Sequence, residues 1–132
     1  SRFFMNLNSA KTIAVIGLSD NPNRPSYQVA QYLLNRGYTI IPINPNITSV
    51  FYQPSYPNIA AVPNDIHIDI VDIFRQPNQV MGIISEVVAT GRRPLIWVQE
   101  KFDHPDLDKL AKKYHLEIVT GICLMRYHQS QP

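Results

Sequence analysis

Five short runs rich in β-branched and aliphatic residues recur along the chain: TIAVI at Thr12–Ile16, TIIPI at Thr39–Ile43, IHIDIVDIF at 66–74, LIWVQ at 95–99 and LEIVT at 116–120. The first is apolar throughout and stops at Gly17, the pattern of a strand covered on both faces in a parallel sheet. Helical spacing fills the gaps. Ser26 is expected to cap a helix reaching about Arg36, with Val29, Ala30, Leu33 and Leu34 on one side and Gly37 just past its end. Pro77, followed by Val80, Ile83, Ile84, Val87 and Val88, predicts a second helix that stops near Gly91. Pro105 opens a third, with Leu107, Leu110 and Ala111 inward, ending near Tyr114. The resulting β-α-β-turn-β-α-β-α-β order, with right-handed crossovers, predicts an α/β fold: a Rossmann-like, doubly wound open parallel sheet of about five strands. The expected strand order, counted along the chain, is 3-2-1-4-5. Pro42 is expected at the end of the second strand or at a bulge, and residues 129–132 are expected to fray.

The 132 residues suit one domain, 1–132. A hydrophobic share of 45% against 17% charged argues for a packed core rather than disorder. The formal charge of +2, with no Lys/Arg run longer than two, is too weak for wrapping nucleic acid but suits an anionic small molecule. Cys123 is the sole cysteine, which excludes an intrachain disulfide and points to a reducing, cytoplasmic setting. No apolar run is long enough to cross a membrane, and the start, Ser1 to Met5, lacks the apolar stretch of a signal peptide. The histidines show no metal-ligand spacing, so no metal is expected. Asp69 and Asp72, three apart on a strand, point to opposite faces and make no acid–base pair. Asp69 is expected to be exposed and Asp72 to reach the loop end. No catalytic residue is assigned.

In this fold class ligands sit beyond the carboxyl ends of the strands, at the topological switch point. The loop from Gly17 to Ser26 leads into a helix N-terminus, where free N–H groups favour an anion. Ser19 and Ser26 add hydroxyls and Arg24 adds fixed charge, a set that fits a diphosphate. An ordinary capped turn, with Ser26 as cap and Arg24 solvated, stays open beside that reading. The dinucleotide fingerprint is absent: Gly17 is the only glycine before Gly37, and the second strand ends in Asn44-Pro45 where NAD calls for an acid. Residues 38–64 carry no charge but hold Phe51, Tyr52, Tyr56 and five prolines. They read as a wall for a base or a pantetheine-like arm, or equally as a packed loop or subunit interface.

The pattern V-I-G-L-S-x-N-P-x-R-P-S-Y-x-V-A-x-Y-L at 15–33 resembles the small stand-alone CoA-binding proteins. So do I-I-P-I-N-P at 40–45, Y-P-N-I at 56–59, I-D-I-V-D-I-F-R at 68–75 and C-L-M at 123–125. These are similar to the CoA-binding domain of the succinyl-CoA synthetase alpha subunit. The resemblance implies a ligand, coenzyme A or an acyl-CoA, and a site. Gly17, Leu18 and Ser19 would lie against the diphosphate, and Arg24, Ser26 and Tyr27 would close over it. Asn44 and Pro45 would flank the adenosine end, Phe74 and Arg75 the opposite wall, and Trp97 and Gln99 the mouth. Asn44 in place of an acid suits a ribose bearing a 3′-phosphate. Tyr52 stands where relatives often have glycine, and Gly121-Ile122-Cys123 where they often have D-R-C. An NADP-dependent enzyme and a non-binding interaction subunit are the alternatives. A homo-oligomer or a partner subunit stays open.

Overall fold

A computed structural model describes residues 7–132; the reading of Ser1 to Met5 lies outside the described residues. A single 3-10 turn, Leu7–Ser9, leads into β1 (Thr12–Ile16), α1 (Pro25–Asn35) and β2 (Thr39–Ile43). A two-residue-per-strand hairpin follows, β3 (Ser49–Val50) and β4 (Gln53–Pro54), then a second 3-10 turn, Ile59–Ala61. The chain continues through β5 (Ile70–Ile73), α2 (Pro77–Ala89), β6 (Leu95–Val98), α3 (Leu107–Tyr114), β7 (Ile118–Thr120) and α4 (Leu124–Gln129).

The main sheet is parallel with order β2-β1-β5-β6-β7. The Rossmann-like α/β class therefore holds, but the strand order does not. Counted along the sheet strands it is 2-1-3-4-5 rather than 3-2-1-4-5, because β5 pairs with β1 from Ile13↔Ile70 to Ile16↔Ile73. Pro42 supplies a reason. It pairs opposite Val15 inside β2, and its carbonyl accepts the Tyr56 N–H at 3.0 Å on the outer side. In a strand the N–H and C=O of one residue point the same way, so the side that lacks a donor also faces outward. A full strand laid there would lose a ladder bond. Only an isolated bridge, Ile43↔Tyr56, forms, and β2 stays an edge. The switch point consequently lies between β1 and β5.

Successive strand residues alternate between two cores. Ile13, Val15, Ile70, Trp97 and Val119 face Val29, Ala30 and Leu33 of α1 and Leu124 of α4. Ala14, Ile16, Val71, Ile73, Ile96 and Val98 face Val80, Ile84 and Val87 of α2, with Leu107, Leu110 and Ala111 of α3 at the margin. Helices thus cover both faces, as continuous apolar strands require. α4, which the sequence reading did not foresee, packs beside α1. The Tyr32 hydroxyl and His128 Nδ1 are 2.8 Å apart, and Tyr127 packs on Trp97 with ring centroids 5.3 Å apart.

Asp69 sits just before β5 and is partly buried rather than exposed. Its carboxylate accepts the Lys11 and Thr12 amides at 2.8 and 3.0 Å and contacts His67 Nε2 at 3.0 Å, pinning the start of β1 to that of β5. Burial acts to raise its pKa, but the two amides and His67 outweigh it and hold the carboxyl below its ordinary value.

The hairpin tip carries local strain. Phe51 and Tyr52 have φ of 54° and 61°, the left-handed region that glycine or asparagine usually fills in a two-residue turn. Phe51 packs on Tyr27, with centroids 4.5 Å apart, whereas the Tyr52 side chain is fully exposed. Tyr52→Gly is therefore expected to stabilise the domain by about 1 kcal/mol, the left-handed penalty for a residue with a Cβ less the added chain entropy. Chemical denaturation reads this directly, and a loss of stability would show that Tyr52 is held by contacts.

Candidate ligand-binding cleft

A cleft of about 820 Å³ lies across the carboxyl ends of β1, β5 and β6. Its floor is the meeting of two strand ends. The Phe74 N–H donates to the Ile16 carbonyl at 2.8 Å, and Gly17 follows at once with φ +88°. A Cβ on Gly17 would overlap the Phe74 carbonyl oxygen and lie 3.4 Å from Arg75 Nε. Only glycine lets the two backbones, and the Arg75 side chain with them, come this close.

The loop after Gly17 is stitched by its own short polar side chains. Ser26 Oγ accepts the Ser19 N–H, Ser19 Oγ accepts the Asn21 N–H, and Asn21 Oδ1 accepts the Asn23 N–H, each at 3.0 Å. Ser26 is thus the second residue of α1, not its cap. The cap is Arg24, whose side chain makes no capping bond. Pro25 has no N–H, and the first helical bond runs from Gln28 N–H to the Arg24 carbonyl. The Ser26 and Tyr27 amides therefore precede the helical ladder, at the positive end of the helix dipole. Asn44 locks the neighbouring loop. Its Nδ2 donates to the Leu18 carbonyl at 2.9 Å and its Oδ1 accepts the Asn46 N–H at 2.9 Å, so both ends of the amide are engaged within the protein.

Of the residues expected at the site, Gly17, Ser19, Arg24, Ser26, Asn44, Phe74, Arg75 and Gln99 line the cleft. Leu18, Tyr27, Pro45 and Trp97 do not. Leu18 is fully buried, Tyr27 turns to Phe51, and Pro45 is exposed beyond Asn44. Trp97, expected at the mouth, is fully buried one position inside the strand end. It shares the α1 side with Val15 and Asp72, and its Nε1 donates to the Ile122 carbonyl at 2.6 Å. α4 and the turn before it bring Cys123, Met125 and Arg126 to the same cleft, none of which the sequence reading assigned to the site. Gln99 fixes that turn by accepting the Leu124 N–H on Oε1 at 3.0 Å. Cys123 is half-buried.

The electrostatics are one-sided. Arg24, Arg75 and Arg126 come from three separate elements and all line the cleft. None of their guanidiniums makes a hydrogen bond or ion pair among the described residues; the ion pair found there is His67–Asp69. Among the described residues Glu100 is the single carboxylate on the cleft wall. Beneath the floor lies Asp72, in register with Val15 and Trp97 and fully buried instead of reaching the loop end. Neither carboxyl oxygen has a partner among the described residues, and burial pushes the group well above its ordinary pKa.

Residues 11–129 match the protein family described as CoA binding domain. The chain belongs to that family. This CoA binding domain is 31% identical over 122 residues to YneT of Bacillus subtilis, a protein described as uncharacterized, covering 92% of this chain and 88% of YneT. It is 24% identical over 122 residues to the ADP-forming acetate–CoA ligase of Methanocaldococcus jannaschii, covering 86% of this chain but spanning only 17% of that much longer enzyme. Among solved structures it superposes on the cell-free ID.343 protein from Thermus thermophilus with a TM-score of 0.83 at 34% identity, covering 93% of this chain and 91% of the other.

Proposed function

We propose that the cleft binds coenzyme A or an acyl-CoA, with the diphosphate against Gly17 and the N-terminus of α1. One observation carries the reading: Arg24 and Arg75, both without a hydrogen-bond or ion-pair partner among the described residues, line the cleft where β1 and β5 meet and where a Cβ is excluded. Unpaired guanidiniums beside free helix amides make a strong anion site, since each can form charge-assisted bonds to phosphate oxygens. Membership of the CoA binding domain family and the likeness to an acetate–CoA ligase support CoA as the anion. On this reading the adenosine lies toward Asn44 and the uncharged segment 38–64, and the pantetheine arm runs over β6 toward Cys123. The chain acts as one binding domain, and the reading assigns it no chemical step of its own. A lone thiol at the cleft end fits a reducing, cytoplasmic setting.

Calorimetry with CoA, NAD and NADP tests the assignment. CoA is expected to bind tightest, because β2 is followed by Asn44, whose amide is already used, and no acid stands there for a nicotinamide cofactor's ribose. NAD binding as tight as CoA would defeat it. Arg75→Ala is expected to weaken CoA by about 1.5–3 kcal/mol, roughly 10- to 150-fold, the range for hydrogen bonds to charged groups. The dependence of affinity on salt should become shallower in the variant. Unchanged CoA binding in Arg75→Ala would leave that side chain as a bystander.

A further inference from the structure

Resting on the CoA reading, we propose that Arg126 makes the outer end of the cleft selective for acyl-CoA whose acyl group ends in a carboxylate. Arg24 and Arg75 lie on the β1 and β5 side, where the diphosphate is placed. Arg126 belongs to α4, which begins beside Gln99 at the end of β6, two strands from β1, next to Cys123 and Met125. With the adenosine toward Asn44, the group arriving at this end is the sulfur and whatever acyl chain it carries. An uncharged arm offers the Arg126 guanidinium amide and hydroxyl oxygens but no opposite charge, and no carboxylate of the described residues lies within ion-pair distance of it. The planar guanidinium matches a carboxylate with two parallel hydrogen bonds. Met125 and Cys123, both half-buried, offer an apolar passage for the methylenes that would precede it.

The end is held in place rather than trailing. Gln99 fixes the turn before α4, and the helix is docked on α1 through Tyr32 and His128. Glu100 opposes the effect, since it lines the same cleft with a negative charge. Arg126 and Glu100 are both exposed, so the preference is that of a solvated ion pair rather than a buried one.

The test compares glutaryl-CoA with valeryl-CoA, which share a five-carbon chain and differ only in the terminal group. Free CoA and dephospho-CoA serve as references, all by calorimetry at low salt on the full chain. The parent protein is expected to favour glutaryl-CoA roughly 1.5- to fivefold, the range of an exposed pair. That ratio should fall to about one in Arg126→Gln and rise in Glu100→Gln. Equal binding of the two acyl-CoAs by the parent overturns the proposal. So does an Arg126→Gln variant that weakens all three 3′-phosphorylated ligands alike while dephospho-CoA is spared, which would assign Arg126 to the 3′-phosphate. Failure of the parent to bind free CoA at all is a different result, and it defeats the CoA reading itself.

Discussion

Gly17→Ala is expected to lose both stability and ligand binding, with the largest effect of any single substitution in the cleft. Two costs add. The left-handed φ of +88° penalises a residue with a Cβ by about 1–2 kcal/mol. The new methyl would overlap the Phe74 carbonyl oxygen, and relief demands backbone movement of the overpacking kind, about 1–3 kcal/mol. Phe74 cannot retreat freely, because its N–H is tied to the Ile16 carbonyl at 2.8 Å and it continues a strand buried on both faces. A combined loss of about 2–5 kcal/mol lowers the melting temperature by roughly 10 °C or more in a domain of this size. Any movement that accommodates the methyl also shifts Arg75, whose Nε lies 3.4 Å from the position it would take, so CoA affinity should fall at least tenfold even where the variant is folded. Thermal unfolding and calorimetry on one preparation check both halves. An unchanged melting temperature would show that β1 and β5 can separate cheaply.

Replacing Asp72 is expected to do the opposite and stabilise the protein at neutral pH. A buried carboxyl without a hydrogen-bond partner costs about 1–3 kcal/mol even when protonated. Its raised pKa fixes the sign of the pH dependence. Below the unfolded-state value of about 3.9 both states hold the proton and the group leaves stability unchanged with pH. As pH rises from there toward the higher native value, the native state keeps a proton that the unfolded state has released, and stability falls. Asp72→Val removes both the missing bond and the titration. It should gain about 1–3 kcal/mol at neutral pH, with a smaller gain near pH 4. Asp72→Asn should remove the slope while keeping an unsatisfied amide. Asp69 contributes the reverse slope in both proteins and cancels in the difference. Denaturant titrations of parent and variants between pH 4 and 8 settle the matter: a Val variant weaker than the parent at neutral pH would mean that the Asp72 carboxyl is satisfied in solution.

The sheet strands and three of the helices were legible because apolar runs and 3.6-residue spacing are local properties, and the Gly17 loop was legible because its residue types match its chemistry. Strand order was not. It turns on which side of β2 the Pro42 nitrogen faces, and that direction is set by the pairing with β1 rather than by any neighbour in sequence. The hairpin tip was hidden because Phe51 and Tyr52 adopt positive φ without the glycine or asparagine that announces it. α4 was hidden for a different reason. Its six residues, LMRYHQ, are too few to display a helical period, and the helix is held by partners distant in the chain. The cost fell on the site: Arg24 could be named from its loop, and Arg75 and Gln99 from the family resemblance, whereas Arg126 and Met125 depended on an unseen helix. Trp97 was misplaced by one step of the pleat, which turns a residue at the rim into one in the core.

The docking of α4 on α1 has a consequence in time. During synthesis the β1–α1 half of the cleft leaves the ribosome long before Leu124–Gln129, and β5 and β6 follow in between. The sheet can therefore pair and bury most of its apolar surface while the ligand seat still lacks one wall. Tyr32 and Tyr38 await His128, and Trp97 awaits Tyr127, until α4 emerges and closes the seat. A nascent chain of this kind is folded before it is competent, and a cut in the turn at Gly121 would return it to that earlier condition.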